Sequence, residues 1–240
     1  MTPILLCLHG WGGSKESFAP LRDALSDSTL TILTPDLPGF GDEPEPSKPW
    51  TIDDYALWVE EWYRRHTPPS EHRLLLLGHS HGGRIAIRLA DRGILPITHL
   101  FLCAAAGIRR PKHARRIVGV TLAKLGAAFF SLPGMRRLEP SAKKLLYKLF
   151  RVHDYEKASP VMRQTMINVT KEDLRSDVAD IRIPTDLFWG TDDTMTPLAD
   201  GKLMHRLIAG STLHVYPGVR HAVHKEKANE IAAILRTTLA

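Results

Sequence analysis

Cysteine is nearly absent from this 240-residue chain, which carries only Cys7 and Cys103. That scarcity excludes a disulfide-stapled scaffold and a cysteine-built zinc site. Each of the two lies inside an apolar, strand-like run, so a pair of reduced, buried thiols is expected. Uncharged apolar stretches of about 18 residues are also missing, and with them any transmembrane helix. The opening Met1-Thr2-Pro3-Ile4-Leu5-Leu6-Cys7-Leu8 has no basic segment and too short an apolar run for a secretion signal, so a soluble, cytoplasmic protein is expected. Repeats and low-complexity tracts are lacking as well. The length then fits one globular domain with room for a small insertion.

Charge is present in both signs but unevenly placed. Net charge is +6, and the stretch Ile108 to Ser176 alone holds 16 Lys/Arg against 5 Asp/Glu, leaving the remainder acidic. Such a surplus is usually a solvated face, although it also suits an anionic substrate or a weak contact with a membrane surface. Nucleic acid is not an expected partner, because no binding motif accompanies the charge.

Six short β-prone runs stand out: Pro3 to Leu8, Leu30 to Thr34, Arg73 to Leu77, Thr98 to Cys103, Thr185 to Trp189 and Thr212 to Tyr216. They read as buried parallel strands. Helical patterns fall between them at Ser17 to Ser26, Thr51 to Arg65 and His81 to Arg92, with Ile52, Tyr55, Val59, Trp62 and Tyr63 forming one apolar stripe and Thr51 suited to an N-cap. Alternating strands and helices predict an α/β fold with a doubly wound sheet and ligands beyond the carboxyl ends of the strands. The fourth and fifth runs are some 80 residues apart, too far for a simple crossover. Helical patterns at Lys112 to Phe130, Ser141 to Val152 and Pro160 to Val169 predict a helical cap over residues 108–176, inserted in a core of 1–107 and 177–240. Val118, Leu122, Leu125, Phe129, Phe130, Leu146 and Phe150 are candidates for its apolar lining.

The chemistry centres on Gly78-His79-Ser80-His81-Gly82-Gly83, between a strand pattern and a helix pattern. A G-x-S-x-G sequence in that context turns the chain sharply enough to project a serine above the sheet, so Ser80 is the candidate nucleophile. His9-Gly10-Trp11-Gly12-Gly13 follows the first strand and is built for backbone exposure; the main-chain N–H groups of Trp11 and His81 are candidate oxyanion donors. The base is sought late in the chain, where His221 follows the last strand, with His224 as the second candidate and His214 inside the strand itself. The acid belongs on Trp189-Gly190-Thr191-Asp192-Asp193, with Asp193 preferred and Asp192 the alternative. No metal and no cofactor are expected for such a set.

These segments, with Pro35-Asp36-Leu37-Pro38-Gly39-Phe40-Gly41-Asp42 and Gly218-Val219-Arg220-His221, resemble the α/β-hydrolase superfamily, and in particular its small lid-bearing serine hydrolases. The resemblance covers nearly the whole chain. It implies carboxylesterase activity: cleavage of small-molecule esters of short to medium acyl length, or of lactones, through an acyl-enzyme on Ser80. A carbon–carbon bond hydrolase or lyase on the same scaffold is the alternative, and a silent ligand receptor the third reading. Two departures stand out. The first strand begins at residue 3 with no preceding hairpin, so a trimmed sheet is expected with Leu30 to Thr34 near an edge. His81 occupies a position where many relatives carry methionine, leucine or glutamine.

Overall fold

The leucine-rich run that precedes the elbow becomes the middle of a sheet. In a computed structural model, which describes residues 3–67, 72–110 and 158–239, Leu74, Leu75, Leu76 and Leu77 are buried without residue on β3 (Leu74–His79). Only a strand covered on both faces can bury consecutive side chains in this way, and each contributes about 1.5–3 kcal/mol of apolar burial. β1 (Ile4–Leu8), equally buried, lies on one side in register Leu6 to Leu76, and β4 (Ile97–Cys103) lies on the other. β2 (Thr31–Leu33), β5 (Thr185–Gly190) and β6 (Thr212–Tyr216) complete six parallel strands in the order β2-β1-β3-β4-β5-β6. All six expected runs are therefore strands, and β2 lies at an edge of the sheet, as expected of Leu30 to Thr34.

The helices fall into two groups. α1 (Ala19–Ala24) packs with α8 (Ala228–Leu239), while α2 (Ile52–His66), α3 (His81–Arg92), α5 (Arg175–Asp180) and α6 (Leu198–Leu207) pack in succession. Between α3 and α5 in the chain stands α4 (Pro160–Lys171), and a short α7 (Val223–Glu226) precedes α8. This is the doubly wound α/β arrangement expected from alternating elements.

Local sequence accounts for the ends of these helices. Thr51 accepts from the Asp54 N–H while Asp54 accepts from the Thr51 N–H, a capping box that starts α2. Gly93, at φ 59°, closes α3 in the left-handed region. The expected helix from Ser17 divides instead: a single 3-10 turn, Lys15–Phe18, capped by Ser14, runs into α1 with Pro20 near its start. On α2 the buried face is Ile52, Tyr55, Ala56, Val59 and Tyr63. Trp62 is only partly buried and instead stacks between Trp58 and His66.

Arg88 on α3 is one partly buried charge that is answered several times over. It donates to Asp177 (2.6 Å) and Glu172 (3.1 Å) and also pairs with Asp53, tying together α2, α3, α5 and the segment before α5. Beyond α4's first turn, Thr165 accepts from the Trp50 N–H (3.0 Å) and Asn168 donates to the Trp50 carbonyl (3.2 Å), so both main-chain groups of Trp50 are satisfied.

By its contacts the chain divides into two compact units, Met1–Arg109 with Gln164–Ala240 and Arg110–Arg163. The expected cap helices Lys112 to Phe130 and Ser141 to Val152, and the seven lining candidates from Val118 to Phe150, lie outside the described residues; Pro160 to Val169 is helical as part of α4. Among the described residues no helix is long and apolar enough to cross a membrane. Cys7 and Cys103 are free and buried.

Candidate active site

At the carboxyl end of β3 the backbone of Ser80 takes φ 51° and ψ −109°, a conformation that L-residues avoid. Its neighbours hold it there. The Ser80 N–H donates to the Cys103 carbonyl (3.2 Å), and the Ser80 carbonyl accepts from Arg84 N (3.2 Å) and Ala106 N (3.0 Å). The flanking glycines are demanded by space: a Cβ at Gly78 would lie 2.6 Å from the Gly82 carbonyl oxygen, and one at Gly82 would overlap the Leu8 carbonyl. Helix α3 can therefore start directly over the end of β1, with the Gly82 N–H donating to the His9 carbonyl (3.0 Å).

The loop after β1 is held by its own histidine. His9 Nδ1 donates to the Gly10 carbonyl (2.8 Å) and its Nε2 accepts from the Leu37 N–H (2.9 Å), a pairing that fixes a neutral tautomer. Burial lowers its pKa accordingly. Gly10 passes so near the elbow that a Cβ there would be 2.8 Å from His79 Nδ1 and 3.2 Å from Ser80 Cβ. Among the described residues, neither the Trp11 nor the His81 main-chain N–H donates to a protein acceptor. His81's amide also opens α3, whose dipole favours negative charge at that end.

The loops after β5 and β6 are joined before they reach the site. Thr191 N donates to the Tyr216 carbonyl (3.1 Å), Asp192 N to the Val219 carbonyl (3.0 Å), and Gly218 N to Thr191 Oγ1 (2.9 Å). A Cβ on Gly190 would overlap the Val219 carbonyl, so only glycine permits this approach. The turn leaves Asp192 exposed and sends Asp193 inward, where Asp193 Oδ2 meets His221 Nδ1 at 2.8 Å. A carboxylate only accepts, so Nδ1 carries the hydrogen and Nε2 is left with its lone pair. Among the described residues no hydrogen bond joins Ser80 Oγ to His221; the two are linked through His79, whose Nε2 reaches the His221 carbonyl at 3.1 Å.

The buried Asp193 carboxylate is met by protein donors on both oxygens. Burial alone raises its pKa, yet bonding to His221, that residue's charge and the Thr196 donors bring it below the ordinary value. Oδ1 accepts from Met195 N (2.8 Å) and Thr196 N (3.0 Å), and Oδ2 from Thr196 Oγ1 (2.8 Å). Trp189 Nε1 in turn donates to the Thr196 carbonyl (2.7 Å).

The remaining histidines divide clearly. His224, the alternative base, is buried against His79 and Phe18 with neither ring nitrogen bonded among the described residues, and burial pushes its pKa down to about 3. His214 bonds Asp186 (2.6 Å) from within β6. The side chain of His81 is buried edge-on against Trp11 and Tyr55, with Nε2 unbonded among the described residues, and burial, then the charges of Arg84 and His9, push its pKa down to about 3. The ring is therefore neutral between Trp11 and Tyr55. Among the described residues no group of acids, cysteines and histidines has the geometry of a metal site. Thr196 and His79 are the residues that sequence reasoning passed over, although His79 stands beside Ser80 in the motif and Thr196 three places after Asp193.

Comparison with known proteins bears on the family and the fold. A family model described as the alpha/beta hydrolase family matches residues 5–234. A pimeloyl-[acyl-carrier protein] methyl ester esterase of Neisseria meningitidis is 27% identical over 242 residues, covering 95% of this chain and 90% of the relative. Among solved structures, an esterase from Exiguobacterium antarcticum superposes with a TM-score of 0.72 at 21% identity, over 98% of this chain and 91% of the other. An enol-lactonase from Burkholderia xenovorans LB400 gives 0.73 at 22%, over 100% and 92%. At such identities the structural likeness concerns the fold alone.

Proposed function

The chain belongs to the α/β-hydrolase family, and from that premise we propose that it is a serine hydrolase cleaving carboxylic esters of short to medium acyl length through an acyl-enzyme on Ser80. The observation that carries the reading is the 2.8 Å contact of His221 Nδ1 with Asp193, which frees Nε2 as a base on the loop that His79 ties to the nucleophile elbow. The methyl ester esterase relative supports the ester class.

In this mechanism His221 Nε2 takes the Ser80 hydroxyl proton as Oγ attacks the ester carbonyl. Negative charge on the carbonyl oxygen is met by the N–H groups of Trp11 and His81, a stabilisation for which each donor accounts for about 3–4 kcal/mol. Collapse expels the alkoxide, which receives the proton from His221. Water then attacks the acyl-enzyme with His221 again as base, releasing the acid and restoring Ser80. Asp193 holds the imidazole tautomer throughout and stabilises the imidazolium.

The test is labelling with a fluorophosphonate probe alongside hydrolysis of p-nitrophenyl esters of graded acyl length. Wild type should label and turn over, and Ser80→Ala should do neither. An unlabelled wild type, or Ser80→Ala that labels undiminished, sinks the nucleophile assignment; turnover of a vinylogous diketone in preference to every ester would transfer the protein to carbon–carbon bond hydrolysis.

A further inference from the structure

His79 is used by no step of that mechanism, yet it touches both loops on which the mechanism depends. Its Nε2 lies 3.1 Å from the His221 carbonyl oxygen. A carbonyl only accepts, so Nε2 must carry the hydrogen, and the neutral ring keeps its lone pair on Nδ1. That nitrogen faces Gly10, where a Cβ would stand 2.8 Å away. The ring is nearly buried and is backed by His224 with centroids 3.8 Å apart, while the His221 ring lies at 4.9 Å. Burial first, and then the neighbouring histidines, hold its pKa well below the ordinary value, so it stays uncharged.

The loop bearing His221 needs such a tether. Its main-chain ties to the β5 loop, Gly218 N to Thr191, Asp192 N to Val219 and Thr191 N to Tyr216, precede His221, whose side chain is held by Asp193, and the bonds of α7 begin at the Ala222 carbonyl. Among the described residues no backbone N–H reaches the His221 carbonyl. We propose that His79 is a positioning residue: its Nε2–H holds the His221 main chain, and its Nδ1 edge sets the approach of the Gly10 loop, so that base and oxyanion donors are registered to the nucleophile next to it in sequence. This rests on the reading of Ser80 and His221 as nucleophile and base.

His79→Gln keeps an amide N–H at the reach of Nε2, whereas His79→Met matches that length with no donor. A misplacement of about 1 Å in such a site costs roughly 100-fold in rate. On p-nitrophenyl acetate His79→Gln should therefore stay within about fivefold of wild-type kcat, and His79→Met should lose about 30- to 100-fold with KM moving less than about threefold. The rate of fluorophosphonate labelling should fall in parallel, and thermal melts should place the two variants together. Equal kcat in the glutamine and methionine variants overturns the proposal. If the methionine variant does not fold, His79→Asn, whose amide ends one bond short, takes its place, and an asparagine variant as active as the glutamine one is equally fatal. A wild type that neither labels nor turns over sinks the Ser80 reading and this proposal together; an active wild type with indifferent variants sinks this one alone.

Discussion

Thr196 gives Asp193 two donors at once, its main-chain N–H at 3.0 Å to Oδ1 and its hydroxyl at 2.8 Å to Oδ2. The hydroxyl thus shares Oδ2 with His221 Nδ1. Thr196→Val keeps shape and backbone but removes the hydroxyl, so kcat on an ester should fall about 5- to 20-fold, in line with a hydrogen bond to a charged group of about 1.5–3 kcal/mol partly felt in the transition state. Asp193→Asn should cost far more, several orders of magnitude in kcat, because the amide permits the wrong imidazole tautomer. Asp192→Asn is the control, expected within twofold of wild type. Steady-state kinetics on the three variants decide the matter, and a large loss in Asp192→Asn would reassign the acid.

Two glycines fail differently when given a methyl group. At Gly82 the new Cβ would overlap the Leu8 carbonyl, which is backbone and cannot move aside, so Gly82→Ala should be recovered insoluble or with a strongly lowered Tm. At Gly10 the Cβ meets the His79 ring and Ser80 Cβ, so Gly10→Ala should fold and lose activity by about 100-fold. Circular dichroism melts and ester kinetics on both separate a folding defect from a catalytic one.

His81 titrates at about 3 in the folded protein against about 6.5 in an unfolded chain. The unfolded state therefore binds the extra proton, and the stability that neutral His81 permits is whole above about pH 6.5 and declines as pH falls toward about 3. His79 and His224 shift in the same direction. Chemical denaturation across this window should show a steep loss of stability, and His81→Leu should flatten it by up to about 1.4 kcal/mol per pH unit. Near pH 7 that variant should also be as stable as wild type or more so, since it removes an unbonded buried nitrogen. Esterase activity should survive in it, because the oxyanion donor proposed at this position is the main-chain N–H.

Asp186 on β5 is bracketed by His99 (2.8 Å) from β4 and His214 (2.6 Å) from β6. Burial raises its pKa, but the two histidine bonds and their charges bring it below the ordinary value. A carboxyl lowered on folding contributes stability that is present above its unfolded value of about 3.9 and lost as pH falls through the folded one. Asp186→Asn should thus be less stable than wild type by about 1–3 kcal/mol at pH 6, with the difference shrinking below pH 4. Urea melts at both pH values test this; a difference that persists at low pH would mean that packing, not the carboxylate, is responsible.

The strands were legible because each β-prone run is short and bounded by turn residues, and the burial of Leu74 to Leu77 on both faces follows directly from that run's lack of alternation. The elbow and its glycines were legible too, since their spacing states a steric requirement. Spacing alone leaves Asp192 and Asp193 as alternatives, and the inward turn of Asp193 depends on the pairing of Asp192 N with Val219 and of Thr191 with Tyr216, contacts between separate loops. Other features depend on residues far apart in sequence. The reach of His79 to a carbonyl 142 positions later, and the neutrality of His81 between Trp11 and Tyr55, arise only when loops from different strands meet. Helix periodicity likewise grouped Trp62 with the α2 core, where its stacking on Trp58 and His66 keeps it at the surface.

The backbone of Ser80 sits at φ 51° without being glycine, and such a conformation costs of order 1–3 kcal/mol. The proposed nucleophile is therefore a standing liability to its own fold. Replacing it by glycine relieves that strain against an entropic loss of about 0.5–1 kcal/mol, so the inert Ser80→Gly protein should melt at or above the wild-type temperature. An enzyme form that is dead yet sturdier is well suited to hunting the natural substrate, since uncut ligand can be retained from a metabolite extract, raise the melting point by mass action, and be identified intact.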